Sequence, residues 1–295
     1  MQAAKKVKDL IKDVRTLSIF SEKRVDQVFS GNYRSAFRGR GIEFSEVRPY
    51  IEGDDPRSID WNVTARMGEP FVKIFQETRE LSIVILLDNS VSMGFGTGNR
   101  SKKETALILS SIISFSALRS NDRIGCLIFD SQVEKFIPPR KGRSHALNVL
   151  QSIVMNEAAD RVANFEKSLD FLSVSQKKKS VIFLISDFIN FSAWKKLQFV
   201  KGKHDLVLVR VRDDFEENPA PGLYDFFSFE KNQTTRINFS NKAARNRYVL
   251  DRQKEKKKFF NFANKNRIDA IQIQGSDDVF KKLLELFLLR EKRKR

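Results

Sequence analysis

Apolar residues along this chain fall into two kinds of pattern. Short continuous runs rich in β-branched residues recur at 82–87, 123–129, 133–137, 180–185, 205–211 and 270–273. Such runs read as strands, and the unbroken apolar one at 82–87 as a strand buried on both faces of a sheet. Between them, apolar residues return at spacings of three and four, which predicts helices over 102–118, 143–154, 164–172, 191–200, 241–264 and 277–289. Ser240 is placed to cap the fifth of these. Strands alternating with helices imply βαβ units around a parallel sheet. A small antiparallel excursion is predicted at 226–229 and 234–239, after a Pro- and Gly-containing loop at 216–222.

The first 80 residues read differently. Residues 2–30 form an amphipathic helical pattern with Val7, Leu10, Ile11, Val14 and Leu17 on one face. The stretch from Gly31 to Phe75 is dense in Gly, Arg and acid, with strand-like ends at 42–47 and 71–75. It is too polar for a core and too specific in composition for a plain linker. The chain therefore divides into residues 1–80, a helix with a β-containing extension, and residues 81–295, an α/β domain.

Composition narrows the class. With 41% hydrophobic residues and 26 Phe among 295 residues, the chain can build a substantial core. The single Cys126 lies inside an apolar run and reads as a buried structural thiol. One cysteine allows no intrachain disulfide framework. The charged N-terminus and the lack of a long uncharged apolar stretch point to a cytoplasmic location. Net charge is +17, and the densest basic patch is the run from Lys242 to Lys258. Such a patch could hold nucleic acid or a membrane surface, but no nucleic-acid-binding signature accompanies it, and a solvated helix face is the expected reading. Neither partner is expected.

The chemistry starts at Leu81–Ser92. An apolar strand stops at Asp88, and Ser90 and Ser92 follow at alternate positions. The carboxyl end of such a strand is where open α/β sheets place ligands. One carboxylate and two hydroxyls form an all-oxygen set suited to a hard cation such as Mg²⁺ or Mn²⁺. Asp187 ends a second buried strand, and two neighbouring parallel strands would bring both acids to one cleft. His145 and His204 lack zinc spacing, the glycines at 94–98 lack a phosphate-loop Lys, and Trp61 and Trp194 read as packing anchors.

Two motif groups carry a resemblance. One is Gly31-x-Tyr-Arg-Ser, then Arg38-Gly-Arg-Gly-Ile-Glu-Phe-Ser-Glu-Val-Arg-Pro-Tyr, then Gly53-Asp-Asp-Pro-Arg-Ser-Ile-Asp-Trp-Asn, then Ala65-Arg-Met-Gly-Glu-Pro-Phe-Val-Lys. The other is Asp88-Asn-Ser-Val-Ser. Over roughly residues 20–290 the sequence resembles the bacterial domain-of-unknown-function family 58. That likeness implies a Rossmann-like von Willebrand factor A-type domain with a metal-ion-dependent adhesion site. By position it implies Ser90 and Ser92 as direct ligands of Mg²⁺ or Mn²⁺, with Asp88 and Asp187 acting through water. The adhesion-site threonine is replaced by Ala163, and Asn164 beside it offers an amide oxygen. The resemblance also implies a non-enzymatic adaptor that works with a MoxR-type AAA+ ATPase on client protein complexes. Arg38, Arg40, Asp54, Asp55 and Arg57 are expected to form a polar partner-binding surface. Two rival classes are a Mg²⁺-dependent phosphoryl hydrolase using Asp88 and Asp187, and a nucleic-acid or membrane binder using the basic run.

Overall fold

The structure is a computed structural model that describes residues 33, 36–37, 43–76, 80–98, 100–156, 162–228 and 233–294. The helix expected over residues 2–30 lies outside the described residues. The chain forms two compact units, one of residues 37–81 and one of residues 1–36 with 82–295.

In the smaller unit, β1 (Glu43–Pro49) pairs antiparallel with β2 (Phe71–Gln76). Between them come a 3₁₀ turn at Pro56–Ser58 and a helix, α1 (Trp61–Met67), which the polar sequence did not predict. Short-range bonds explain why it forms. Asp55 accepts from the Arg57 amide while Pro56 starts the 3₁₀ turn with its preset φ. Asp60 accepts from the amides of Asn62 and Val63 and so caps α1. Gly68, at φ 79°, ends it in the left-handed conformation that a side chain would strain.

The larger unit carries a six-stranded sheet in the order β10-β7-β6-β3-β4-β5. Its strands are β3 (Ser82–Asp88), β4 (Arg123–Phe129), β5 (Val133–Arg140), β6 (Val181–Ser186), β7 (Asp205–Arg212) and β10 (Asp269–Gln274). All neighbours run parallel except β4 with β5. Helices cover both faces: α2 (Lys102–Arg119), α3 (Arg143–Met155), α4 (Phe165–Ser175), α5 (Trp194–Lys203), the short α6 (Asp214–Glu217), α7 (Lys242–Lys265) and α8 (Val279–Lys294). The predicted hairpin is β8 (Leu223–Ser228) with β9 (Gln233–Asn238). Asn241, not Ser240, caps α7, accepting from the amides of Ala243 and Ala244. Asn241 is adjacent to the first helical residue, and its carboxamide reaches both orphan N–H groups.

Residue alternation divides the strands between two cores. Val84, Leu86, Leu127, Ile182, Leu184, Leu206 and Leu208 pack under α4, α5 and α7 with Phe165, Leu169, Leu197, Val200 and Phe259. Their neighbours Ile83, Ile85, Cys126, Phe183, Val207 and Val209 are equally buried on the other face. Trp194 does anchor packing, against Phe191 and Phe262. Trp61 does not, since it is 69% exposed.

Gly125 sits where β4 meets a register shift in β5. A Cβ there would lie 2.6 Å from the Ile137 carbonyl oxygen and 2.7 Å from the Pro139 nitrogen, both backbone atoms that cannot swing aside. Gly125→Ala is therefore expected to lower unfolding free energy by about 1–3 kcal/mol, the usual cost of overpacking. Urea denaturation checks this, and an unchanged midpoint would contradict the packing described.

Candidate functional site

The chain runs from β3 outward through β4 and β5, then crosses to β6 on the opposite side of β3. The topological switch point therefore lies between β3 and β6, where open α/β sheets form their ligand crevice. Parallel register sets Leu87 beside Ile185, so Asp88 and Asp187 leave the sheet at the mouth of that crevice. Both are buried, at 1% and 2% exposure. The pairing of acids expected from sequence is present.

Each carboxylate is held by its own loop. The Ser90 amide donates to Asp88 Oδ1 at 2.9 Å, and the Ser186 hydroxyl donates to Asp88 Oδ2 at 2.6 Å. Ser186 Oγ in turn accepts from the Phe188 amide at 2.9 Å, and Asp187 Oδ1 accepts from the Ile189 amide at 3.0 Å. The turn after β6 is sharp: Phe188 and Asn190 have φ of 54° and 51°, a region costly for a bulky residue. The Phe188 ring is held at 4.8 Å from Phe259 and 5.3 Å from Phe191, and that packing supports the strained backbone. Ser90 immediately precedes the 3₁₀ turn Val91–Gly94, makes no side-chain bond to it, and its hydroxyl lies 3.2 Å from that of Ser92.

The remaining oxygen of Asp187 is taken by a residue that the sequence reading passed over. Lys102 Nζ donates to Asp187 Oδ2 and to Glu216 Oε1, each at 2.7 Å, and the lysine side chain is 1% exposed. Glu216 is fixed by a reciprocal capping box, in which Asp213 caps α6 and the Asp213 amide donates to Glu216 Oε2. Arg212, also buried, lies 3.1 Å from Glu217 and 3.5 Å from Glu216. Arg210 is 3.6 Å from Glu217. Two signals could have found this network. Lys102 occupies the first turn of α2, directly after the Ser101 cap, where a cation opposes the helix dipole and needs an anion to justify it. Arg210 and Arg212 alternate along an otherwise apolar strand, so both must find charges.

Burial, reinforced by the negative charge of Asp187, pushes the Asp88 carboxyl up to about 6, against the lowering effect of bonds from Ser186 and Ser90. Burial also raises Asp187, but Lys102 more than offsets this, leaving it below the ordinary carboxylate range.

A divalent cation would have to use these same groups, and as arranged they do not fit one. Both Asp88 oxygens and both Asp187 oxygens already accept internal hydrogen bonds. A cation drawing on Asp187 would share it with an ammonium. Two unit positive charges about 4 Å apart repel by about 4 kcal/mol at an effective dielectric of 20, and a divalent ion roughly doubles that. Ala163 packs against the aromatic and aliphatic core. The Asn164 side-chain oxygen is already engaged, accepting from the Lys167 amide as the cap of α4. The described residues contain no cluster of three or more His, Cys, Asp or Glu side chains able to hold a metal.

In the smaller unit, Arg38 and Arg40 lie outside the described residues. Asp54 makes a bidentate pair with Arg48, both contacts at 2.7 Å, and accepts from the Ile51 amide. Asp55 is occupied as a cap, while Arg57 is exposed. His145 bonds the Ile124 carbonyl, and the buried His204 ring nitrogens have no partner. Neither histidine touches the crevice acids. No helix among the described residues is long and apolar enough to cross a membrane.

A mostly parallel sheet clad by helices on both faces, with Asp-x-Ser-x-Ser at the switch point, defines a von Willebrand factor A-like α/β domain. The chain belongs to the family described as "Protein of unknown function DUF58", whose model matches residues 46–258. It is 30% identical over 203 residues to the uncharacterized protein Rv1480 of Mycobacterium tuberculosis (strain ATCC 25618 / H37Rv), covering 68% of this chain and 64% of that protein. Among solved structures, BatB from Bacteroides thetaiotaomicron is similar at 15% identity and TM-score 0.46, over 72% of this chain and 99% of that one. The SpRpn10 VWA domain is similar at 12% identity and TM-score 0.42, over 70% of this chain and 94% of that one.

The folded-state pKa of Asp88 lies above its unfolded value near 3.9. Its contribution to stability is thus fully present below about pH 4 and is lost as pH rises through about 6. Asp88→Asn should remove this slope. Relative to wild type, the variant should gain on the order of 3 kcal/mol as pH rises from below the first of those values to above the second, read from urea denaturation at each pH. A difference that does not change with pH would contradict the desolvated carboxyl.

Proposed function

We propose that this chain is a non-enzymatic, cytoplasmic protein-binding adaptor that works with a MoxR-type AAA+ ATPase on other protein complexes. The observation that carries the reading is the chemistry of the crevice. Its acids are held by backbone amides, a serine hydroxyl and an ammonium, and no histidine is placed to serve them as a base. A phosphoryl hydrolase would need an accessible carboxylate or activated water there. The buried, internally bonded carboxylates offer neither, whereas the half-buried Ser92 at the rim can offer a hydrogen bond to a docked partner.

The choice of ATPase rests on the family resemblance. The smaller unit supports it physically by presenting an exposed tryptophan. Trp61 and Met67 are 69% and 63% exposed at the two ends of α1, and Ile51 is 62% exposed. Tryptophan is over-represented among residues that dominate binding energy. Arg57 adds a planar donor suited to a partner carboxylate. The basic run of α7 is a solvated face: Lys254 and Lys257 are exposed, and Lys254 pairs with Asp251 within the helix.

Mixing the purified chain with the MoxR-type ATPase of the same organism should give a complex in at least one nucleotide state, seen by analytical ultracentrifugation. Trp61→Ala should weaken that complex at least tenfold while leaving Tm unchanged, because the ring buries little in the free chain. No complex in any nucleotide state, together with phosphatase turnover by this chain alone that disappears in Asp187→Ala, would overturn the adaptor reading in favour of a hydrolase.

A further inference from the structure

We propose that the ammonium of Lys102 is the resident cation of the strand-end crevice, so that this adhesion-type site is built to work without a divalent metal ion. The inference rests on the crevice being the binding site of the adaptor, and it concerns which cation organises that site. Lys102 is not a surface lysine that happens to reach inward. Its backbone amide donates to the Phe95 carbonyl at 3.0 Å, and its Nζ lies 5.8 Å from the centre of the Phe95 ring. The segment that carries Phe95 is itself tied down on its C-terminal side. The Thr97 amide donates to Asp213 Oδ2 at 2.9 Å, and Arg100 donates to the carbonyls of Gly275 and Asp277. The loop between β3 and α2 therefore delivers the ammonium to one place and covers it there.

Charge and hydrogen bonding lead to the same conclusion. Lys102 joins Asp187 to Glu216, a carboxylate from the loop after β6 to one from α6, which is the connecting role a metal ion would otherwise take. Arg210 and Arg212 pair with Glu217 and Glu216. Three cations thus match three carboxylates, with Asp88 satisfied by Ser90 and Ser186. Arg212 Nη1 is left as a buried donor without a hydrogen-bond partner. That spare capacity calls for an acceptor oxygen, not for another cation. An ammonium tethered by the chain also escapes the entropic cost of recruiting a free ion and is insensitive to chelators.

The test titrates MnCl₂ into the full chain by calorimetry and follows Tm in Mn²⁺ and in EDTA. Wild type is expected to show no saturable heat and no Tm shift in either. Lys102→Met removes the charge but keeps an unbranched side chain, leaving Asp187 without its ammonium partner and Glu216 with Arg212 alone. It should lower Tm, and MnCl₂ should restore Tm in a saturable way that is lost in Lys102→Met with Asp187→Asn. Saturable Mn²⁺ binding to wild type that disappears in Asp88→Ala would overturn the inference, as would Lys102→Met with native Tm and no response to Mn²⁺. If Lys102→Met does not fold, the wild-type titration still decides. The ATPase complex supplies a separate readout. A complex that persists in EDTA supports the tethered cation, and one that dissociates in EDTA overturns it while leaving the adaptor reading intact. Absence of any complex, with no Mn²⁺ binding by wild type, counts against the adaptor reading alone.

Discussion

A lysine ammonium buried at the carboxyl end of a parallel sheet has to be met by carboxylates, and most of the crevice follows from that need. Removing one partner from such a pair typically costs about 3–5 kcal/mol, because the other charge is left buried and alone. Lys102 therefore fixes where Asp187 and Glu216 must be, each at 2.7 Å. Glu216 in turn requires the capping box of α6, and Asp213 of that box holds Thr97 on the loop that brings Lys102 in. The network closes on itself: Lys102 of α2 joins the loop after β6 to α6, and the cap of α6 holds the loop that leads into α2. Buried ion pairs of this kind do little for net stability compared with an apolar core, but they define one arrangement of the loops.

Much of this was legible in the sequence, and the reasons are specific. The runs ending at Asp88 and Asp187 were readable because a strand buried on both faces has no polar residues until it leaves the sheet. The sheet's mostly parallel character followed from the helices between most successive strands. What stayed hidden was pairing across long sequence distances. Lys102 and Glu216 are 114 residues apart, and neither looks unusual beside its neighbours. The warning lay in a lysine opening a helix and in two arginines alternating on an apolar strand, features that are odd only when electrostatics is weighed with secondary structure. Oxygen-rich side chains at a strand end suit a cation, and the sequence alone does not distinguish a metal ion from a lysine ammonium.

The smaller unit teaches a related point about carboxylates. Asp54 and Asp55 read as part of a polar contact surface, yet both are engaged in shaping the chain, through Arg48 and the 3₁₀ turn, as Asp60 is through the cap of α1. Short polar residues before a helix serve the backbone first. The large exposed side chain in this stretch is Trp61, which composition alone assigned to packing because tryptophan is usually buried. A helix of seven residues has one apolar face to cover at most, and α1 follows its cap directly with a tryptophan that stays 69% exposed. The motif thus combines a locally determined fold with an aromatic left for something else to cover.

The claim on which this account depends is that the crevice is organised by Lys102 in place of a metal ion. A crystal structure of the full chain grown with MnCl₂, with anomalous data collected at the manganese edge, tests it directly. The account predicts no anomalous peak among Asp88, Ser90, Ser92 and Asp187, with Lys102 Nζ in hydrogen-bond contact with Asp187 and Glu216. A peak bound by Ser90 and Ser92, with the Lys102 side chain displaced from Asp187, would contradict it.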